Sequence, residues 1–410
     1  MNRIAVIGAG AAGCFCSIEL KRRLPDAQVD VFEAGAKALV KVSKTGGGRC
    51  NLTNSFENVP SPEKVYPRGS QLMKRALRAF SQNDCMRWFE AEGVKLVTEG
   101  EGRVFPRSGD AMEIVRTLLR VMKKEGVSLH CGCRVSSIED NGGVYAISYK
   151  NANGSVCIHE VDKVVVTTGG SIKDGSLKML EPLNLETVPP VPSLYTFNIE
   201  DEALRSIMGT VAENAAVRLA GTPFKAEGPL LVTHWGLSGP GVLRLSSFAA
   251  RYLAQNSFKA SLLVSWCTLP QEEIRKMLET QLDANPGKLL SGIRIEGISA
   301  RLWEHLIARA GLRSDIRCAE TGRKSLNRLV EILSGDCYGI SGKGQWKEEF
   351  VTCGGVALSQ VDTGTLECRS HPGLFFAGEV LDLDALTGGF NLQAAWSTGF
   401  VAAKGISGAK

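Results

Sequence analysis

Near the N-terminus, Gly8-Ala9-Gly10-Ala11-Ala12-Gly13 separates a fully apolar run, Ile4 to Ile7, from a stretch of helical character that reaches Arg23. Pro25 and Asp26 make a turn, and Val29-Asp30-Val31-Phe32 forms a second apolar-rich run that ends at Glu33, 20 residues after Gly13. Short unbroken apolar runs of this kind suit strands buried on both faces of a parallel sheet. In that setting each glycine has a task. Gly8 permits a tight turn, Gly10 lets the backbone approach a pyrophosphate, and Gly13 lets the helix lie close to the strand. The unpaired N–H groups of Ala11, Ala12 and Gly13 open the helix and favour an anion there. Glu33, with Ala34 beside it, is placed to accept hydrogen bonds from a ribose, which disfavours a 2′-phosphate. Strand, glycines, helix, strand and acid in register predict a dinucleotide site. The alternative is a βαβ turn that binds nothing.

The motif does not separate NAD from FAD, and the other glycine clusters must be weighed. Ser43 to Asn54 is a dense polar loop in which Gly46, Gly47 and Gly48 precede Arg49, Cys50 and Asn51. Such a loop suits a backbone lying against a flat ligand, whereas a plain surface loop would not favour Cys50 and Leu52. Residues 69–92 and 108–124 are expected to form two amphipathic helices. The second is capped by Ser108 or Asp110 and presents Met112, Val115, Leu118, Leu119 and Met122 to the core. From 127 to 168 the pattern becomes strand-like, with turns at Asn141-Gly142-Gly143 and Asn153-Gly154. It includes Val135 and ends at Thr168-Gly169-Gly170. Near the C-terminus, Leu374 to Ala377 is again a buried strand. It runs into Gly378 and Glu379, an acid placed to hold ribityl hydroxyls, and then Asp382 and Asp384. Gly388 and Gly389 open a last helix at Phe390, Asn391 and Leu392, a second N-terminus that favours negative charge. Asp382 and Asp384 admit a second role, as exposed loop charges.

Composition narrows the class. The chain has 410 residues, 44% hydrophobic and 22% charged, with 45 glycines. These values exclude disordered and fibrous architectures. A formal charge of +5 is compatible with an anionic partner but far from a dedicated nucleic-acid binder. The twelve cysteines form no Cys-x-x-Cys or metal-ligand pattern, so no metal is expected. They suit reduced thiols in a cytoplasmic protein, and no run approaches the ~20 apolar residues of a membrane span.

These segments carry a resemblance. GAGAAG at 8–13, TGGGRCNLTN at 45–54, GRVFPRSGDA at 102–111, VTTGG at 166–170, VTHWGLSGPG at 232–241, VTCGGV at 351–356 and FAGEVLDLDALTGGFNLQAAWSTG at 376–399 resemble the YhiN/BaiN-type flavoprotein family, NAD(P)/FAD-dependent oxidoreductases, from end to end. The pattern departs from the family at Ala385-Leu386 and, more mildly, at Lys44-Thr45. The resemblance implies an α/β fold. A Rossmann-like FAD-binding domain of the two-dinucleotide-binding type, residues 1–190 completed by 351–410, is interrupted by an insert at 191–350. That insert is expected to be β-barrel-like at 191–268 and helical at 269–335. The FAD contacts then fall at Gly8, Gly10, Ala11, Ala12, Gly13, Glu33, Ala34, Gly47, Gly48, Arg49, Cys50, Asn51, Val135, Thr168, Gly169, Gly170, Gly378, Glu379, Asp384, Gly388, Gly389, Phe390, Asn391 and Leu392.

No second glycine fingerprint follows a strand, so NAD(P)H is expected only as a transient reductant. With FAD supplying hydride from N5, reduction of a polarised C=C bond also needs a general acid. Cys50 is the candidate, with the adjacent Arg49 lowering its pKa or orienting an anionic substrate. The alternative is that both residues only pack and hold the flavin. Family members imply two substrate classes, uridine in large-subunit ribosomal RNA and bile acids. The Arg-rich insert (Arg309, Arg313, Arg317, Arg323, Lys324, Arg328) tilts the expectation toward RNA, although interleaved acids also suit a solvated face. His234 and Trp235 are expected to be structural. A small-molecule reductase or amine oxidase and a flavin-bound regulatory protein stand as alternatives.

Overall fold

A computed structural model describes residues 2–170, 175, 177–344 and 351–408; the expected end of the insert, 345–350, lies outside the described residues. The chain divides into two compact units, Met1–Val191 with Val351–Lys410, and Pro192–Phe350.

In the first unit five parallel strands run in the order Leu374–Phe376, Lys163–Val166, Arg3–Ile7, Gln28–Glu33 and Ser128–Cys131. Ile4, Ala5, Val6 and Val164 to Val166 are fully buried, as both-face coverage of a parallel sheet demands. The chain leaves the central strand Arg3–Ile7 toward one side and returns to the other, so the strand order reverses between Arg3–Ile7 and Lys163–Val166. Ligands of open α/β sheets bind at the carboxyl ends beside such a reversal.

Helix Ala11–Arg23 covers this sheet and packs on the C-terminal helix Phe390–Ile406. A Cβ at Gly399 would stand 3.0 Å from the Ala12 carbonyl oxygen, so the glycine sets the close crossing. Phe15 anchors the contact with ring centroids 5.2, 5.0 and 5.6 Å from Phe80, Trp88 and Trp396, pairs worth roughly 0.5–1.5 kcal/mol each beyond their buried area.

The stretch expected as one helix over 69–92 is two, Ser70–Ala79 and Gln82–Ala91. Ser81 and Asp84 form a reciprocal capping box, which starts a new helix and so ends the old one. The next helix is Ala111–Glu125. Asp110 caps it by accepting from the Met112 N–H at 2.8 Å, and Gly126 follows at φ 78°. Its buried apolar face is Ala111, Ile114, Val115, Leu118, Val121 and Met122; Leu119 is only partly buried, and Met112 lies off that face and is 40% exposed. The meander Arg134–Asp140, Tyr145–Lys150 and Val156–Val161 is antiparallel, with turns at the predicted glycines.

The second unit combines an eight-stranded antiparallel sheet with helices Pro240–Phe248, Gln271–Asp283, Ala300–Arg309 and Arg323–Gly335. Helix Pro240–Phe248 is preceded by Gly239, and Ser238 ends the strand Gly236–Ser238. Trp266 and Trp303 fill the core. Buried Asp336 accepts from Trp266 Nε1 at 3.1 Å and from Arg309 Nε at 2.9 Å. Arg309 also donates to Asp201 at 2.9 Å and lies 4.4 Å over the Tyr338 ring. The Arg-rich stretch is therefore partly an internal brace. Arg313 pairs with Asp315 at 2.6 Å, and Arg309 is committed to the core.

Candidate active site at the carboxyl edge of the parallel sheet

The glycine loop has the geometry its spacing implies. Gly8 adopts φ 103°, and a Cβ there would be 2.7 Å from the Thr167 carbonyl oxygen. A Cβ at Gly13 would be 2.0 Å from the Gly8 oxygen and 2.5 Å from Thr167 Oγ1, so helix, turn and the neighbouring strand meet without room for a methyl group. Thr167 staples the turn through 3.0 and 2.8 Å hydrogen bonds from its hydroxyl to the Ile7 and Gly8 carbonyls. Gly10 differs: it caps the helix at φ −85°, and a Cβ there would meet nothing within 4 Å. Its backbone faces open space, and the first-turn N–H groups of Ala11, Ala12 and Gly13 have no intrahelical acceptor.

Glu33 organises the rim. Its Oε2 accepts from the Ala9 N–H at 2.8 Å and its Oε1 from the Gly35 N–H at 2.7 Å, which leaves a lone pair on each oxygen for ligand hydroxyls. The Cys133 N–H donates to the Glu33 carbonyl at 2.8 Å and the Gly132 N–H to Gly35 at 2.9 Å. These bonds draw the segment leading to Val135 alongside Glu33 and exposed Ala34. On the other side of the reversal, the Thr168 hydroxyl is buried without a hydrogen-bond partner among the described residues. Gly169 follows at φ 73°, and a Cβ on Gly170 would press to 2.9 Å on Glu379 Cδ. Glu379 Oε1 accepts from the Thr352 N–H at 2.8 Å, and Oε2 stands 3.5 Å from Lys41 Nζ.

The loop over 45–54 is locked to the last helix. Gly46, Gly47 and Gly48 all have positive φ, and Cβ atoms at Gly47 and Gly48 would meet nothing within 4 Å. The Asn51 amide donates to the Thr53 carbonyl at 3.0 Å and accepts from the Gly389 N–H at 3.1 Å. A Cβ at Gly389 would fall 2.2 Å from the Thr53 oxygen, so only glycine fits. Gly388 accepts from Asn54 Nδ2 at 3.0 Å, Phe390 from the Tyr66 hydroxyl at 3.0 Å, and Leu52 from Trp396 Nε1 at 3.0 Å. Asn391 closes the loop before it, accepting from the Ala385 N–H and donating to the Ala385 carbonyl, both at 2.9 Å. The first-turn N–H groups of Phe390, Asn391 and Leu392 thus remain at a helix end held against the glycine-rich loop. Asp384 is fully buried and bidentately paired with Arg68, and Gly378 donates to Thr398 Oγ1 at 2.9 Å.

Cys50 sits at φ 59°, in the left-handed region, and is completely buried. Burial pushes its thiol up to about 12, against a lowering hydrogen bond with Thr45. The expected lowering by Arg49 is reversed, because that guanidinium turns away, pairs with Glu99 and lies 4.2 Å over the Phe105 ring. Cys50 should therefore resist alkylation in the folded protein at pH 8. Peptide mapping of iodoacetamide-treated protein should show exposed Cys337 labelled first. Early Cys50 labelling would mean an open loop.

Several residues of the site carry no sequence signal of their own. Arg68, Tyr66, Thr167 and Trp396 act through partners distant in the chain. Gln393 is the one with a local sign, a polar residue amid small apolar ones; it is fully buried, with Thr53 Oγ1 donating to its Oε1 at 2.5 Å. His234 is exposed and packs edge-on to Trp235, centroids 4.2 Å apart. Among the described residues, no group of three or more His, Cys, Asp or Glu is arranged to hold a metal ion, and no helix is long and apolar enough to cross a membrane.

The strand-order reversal, the glycine turn at its carboxyl edge and the acid ending the next strand define a Rossmann-type dinucleotide-binding fold. The HI0933-like protein Rossmann domain matches residues 2–405, and the chain belongs to that family of FAD-dependent oxidoreductases. It is 28% identical to the 3-dehydro-bile acid delta(4,6)-reductase of Clostridium scindens, covering 98% of both chains. It is also 28% identical to the ribosomal RNA dihydrouridine synthase of Escherichia coli, covering 99% of this chain and 98% of that one. Among solved structures, 3-ketosteroid delta1-dehydrogenase from Sterolibacterium denitrificans shares the fold, with a TM-score of 0.52, 12% identity and full coverage of both chains. The residues present fit FAD: Gly10 leaves room for a diphosphate, and the buried Thr168 hydroxyl has no partner among the described residues, so a ligand group there would satisfy it.

Proposed function

We propose that the chain is a reductase that takes electrons from NAD(P)H and saturates a C=C bond conjugated to a carbonyl, with uridine in large-subunit ribosomal RNA as substrate. The observation that carries it is the end-to-end similarity to two relatives whose names describe one chemistry. Dihydrouridine formation and reduction of a 3-oxo delta(4,6) steroid both add hydride and proton across an alkene conjugated to a carbonyl. FAD, when bound, supplies the hydride transfer. The residues assigned to hold it are those predicted from the sequence, in the unit 1–190 with 351–410, and 191–350 is assigned to the substrate. Gly10 admits the diphosphate, Glu33 and the segment at Val135 take the adenosine end, and Thr168 to Gly170 with Glu379 take the ribityl end. The helix opening at Phe390 offers partial positive charge of roughly half a unit, which favours an electron-rich ring. Asp384 acts through Arg68. Cys50 is fully buried with its thiol pushed up to about 12, so its role is to pack and hold the loop over 45–54 rather than to donate the proton. Arg49 is exposed, and its surface pair with Glu99 is weak enough to exchange for an anionic substrate group. A ribosomal substrate places the protein in the cytoplasm.

The equal similarity to a bile-acid reductase supports a second substrate class, an enone steroid. Both are tested by reducing the purified protein anaerobically and presenting it with ribosomal RNA and with enone steroids. Mass spectrometry should show a two-hydrogen gain on one uridine. A gain on the steroid alone selects the second class, and reoxidation by neither rejects the proposal.

A further inference from the structure

Lys41 stands on the crevice floor in a manner the glycine motifs do not require. Its ammonium lies 3.1 Å from the Gly170 carbonyl oxygen and 3.5 Å from Glu379 Oε2. A Cβ on Gly169 would be 4.0 Å from it. Glu379 does not depend on this contact, because the Thr352 N–H holds its other oxygen at 2.8 Å. The Lys41 side chain is 65% exposed, and exposed Lys–Glu pairs are weak enough to exchange partners. Beside it the buried Thr168 hydroxyl has no partner among the described residues, which marks the floor as a place where a polar ligand group belongs.

Charge says what kind of group. FAD carries a diphosphate with two negative charges, and the crevice already presents the carboxylates of Glu33 and Glu379. Two helix N-termini supply only partial positive charge. Arg49 is turned to Glu99 and Arg68 to Asp384. Among the described residues, Lys41 is a cation in contact with Gly170 and Glu379.

We infer that Lys41 is the counter-ion of the dinucleotide's diphosphate. On binding, its ammonium exchanges Glu379 for a phosphate oxygen, while the Thr352 N–H keeps Glu379 in place. This rests on FAD being the bound group. Titration of apoprotein with FAD, followed by flavin fluorescence, should give a Kd for Lys41→Met about 10- to 100-fold above wild type, the scale of one hydrogen bond to a charged group. The salt dependence of binding should fall, because one screened attraction is gone. Lys41→Arg should recover most of the affinity. Riboflavin, which has no phosphate, should bind wild type and Lys41→Met alike. Equal FAD affinity in wild type and Lys41→Met overturns the inference. So does an equal loss for riboflavin and FAD, which would mean that Lys41 merely holds Glu379. Failure of the wild type to take up FAD at all overturns the FAD assignment itself, and is read in the same titration.

Discussion

Gly10→Ala should fold like the wild type and lose FAD, whereas Gly13→Ala should lose stability first. The two positions are three residues apart in one motif, but their surroundings are opposite. At Gly10 the backbone sits at φ −85°, open to any L-residue, and an added Cβ meets nothing within 4 Å. The apoprotein has no reason to notice the methyl group. It occupies the space through which a diphosphate would approach the helix N-terminus, so FAD affinity should drop by about 10- to 100-fold, the worth of one or two charge-assisted hydrogen bonds. At Gly13 the added carbon would fall 2.0 Å from the Gly8 oxygen. That neighbour is backbone, and it cannot swing aside. Helix Ala11–Arg23 must lift from the strand, at a penalty of roughly 1–3 kcal/mol or more, or several degrees in Tm for a unit of this size. Thermal melts of the apoproteins and flavin titrations of both variants separate the outcomes. Wild-type FAD affinity in Gly10→Ala would show that the dinucleotide does not cross this turn.

What was legible in the sequence follows from how far apart the cooperating residues are. The opening strand, turn, helix and strand lie within 33 residues, and each choice is dictated by local geometry, so spacing alone identifies them. The break between Ser70–Ala79 and Gln82–Ala91 was also local. Ser81 and Asp84 spell a capping box, but the amphipathic period runs on through both helices and conceals it. Cys50 shows the other limit. Sequence adjacency to Arg49 suggested a lowered thiol pKa, yet adjacent residues in a tight turn can point apart. The side-chain environment of Cys50 is set by burial, and that of Arg49 by Glu99 and Phe105. The clamp on the loop over 45–54 joins Leu52 to Trp396 and Thr53 to Gln393. Nothing in either segment alone announces the other. The arginines of the insert were legible as charge and not as placement: Arg309 is an internal brace because Asp201 and Asp336 converge on it from separate elements.

Asp384→Ala should destabilise the first unit by about 3–5 kcal/mol, the usual effect of removing one member of a buried ion pair. The Asp384 side chain is fully buried and that of Arg68 is 10% exposed. Deleting the carboxylate leaves a guanidinium in low-dielectric surroundings without its bidentate partner. At roughly 2–4 °C per kcal/mol for a unit of this size, the melting temperature should fall by about 10 °C. Flavin should be lost with it, because Asp384 precedes the loop that Asn391 ties through Ala385 and that leads to Gly388 and Gly389. Replacing both partners, Arg68→Met with Asp384→Leu, removes the guanidinium that has lost its bidentate carboxylate and should recover much of the stability, since apolar residues of similar volume often substitute for such pairs without loss. The double variant then decides what Asp384 does. If it melts near wild type and binds FAD, Asp384 serves the site only by holding Arg68 and the loop. A stable double variant that takes up no FAD would place the carboxylate in contact with the flavin, and a double variant as unstable as Asp384→Ala would show that the pair is not the source of the loss.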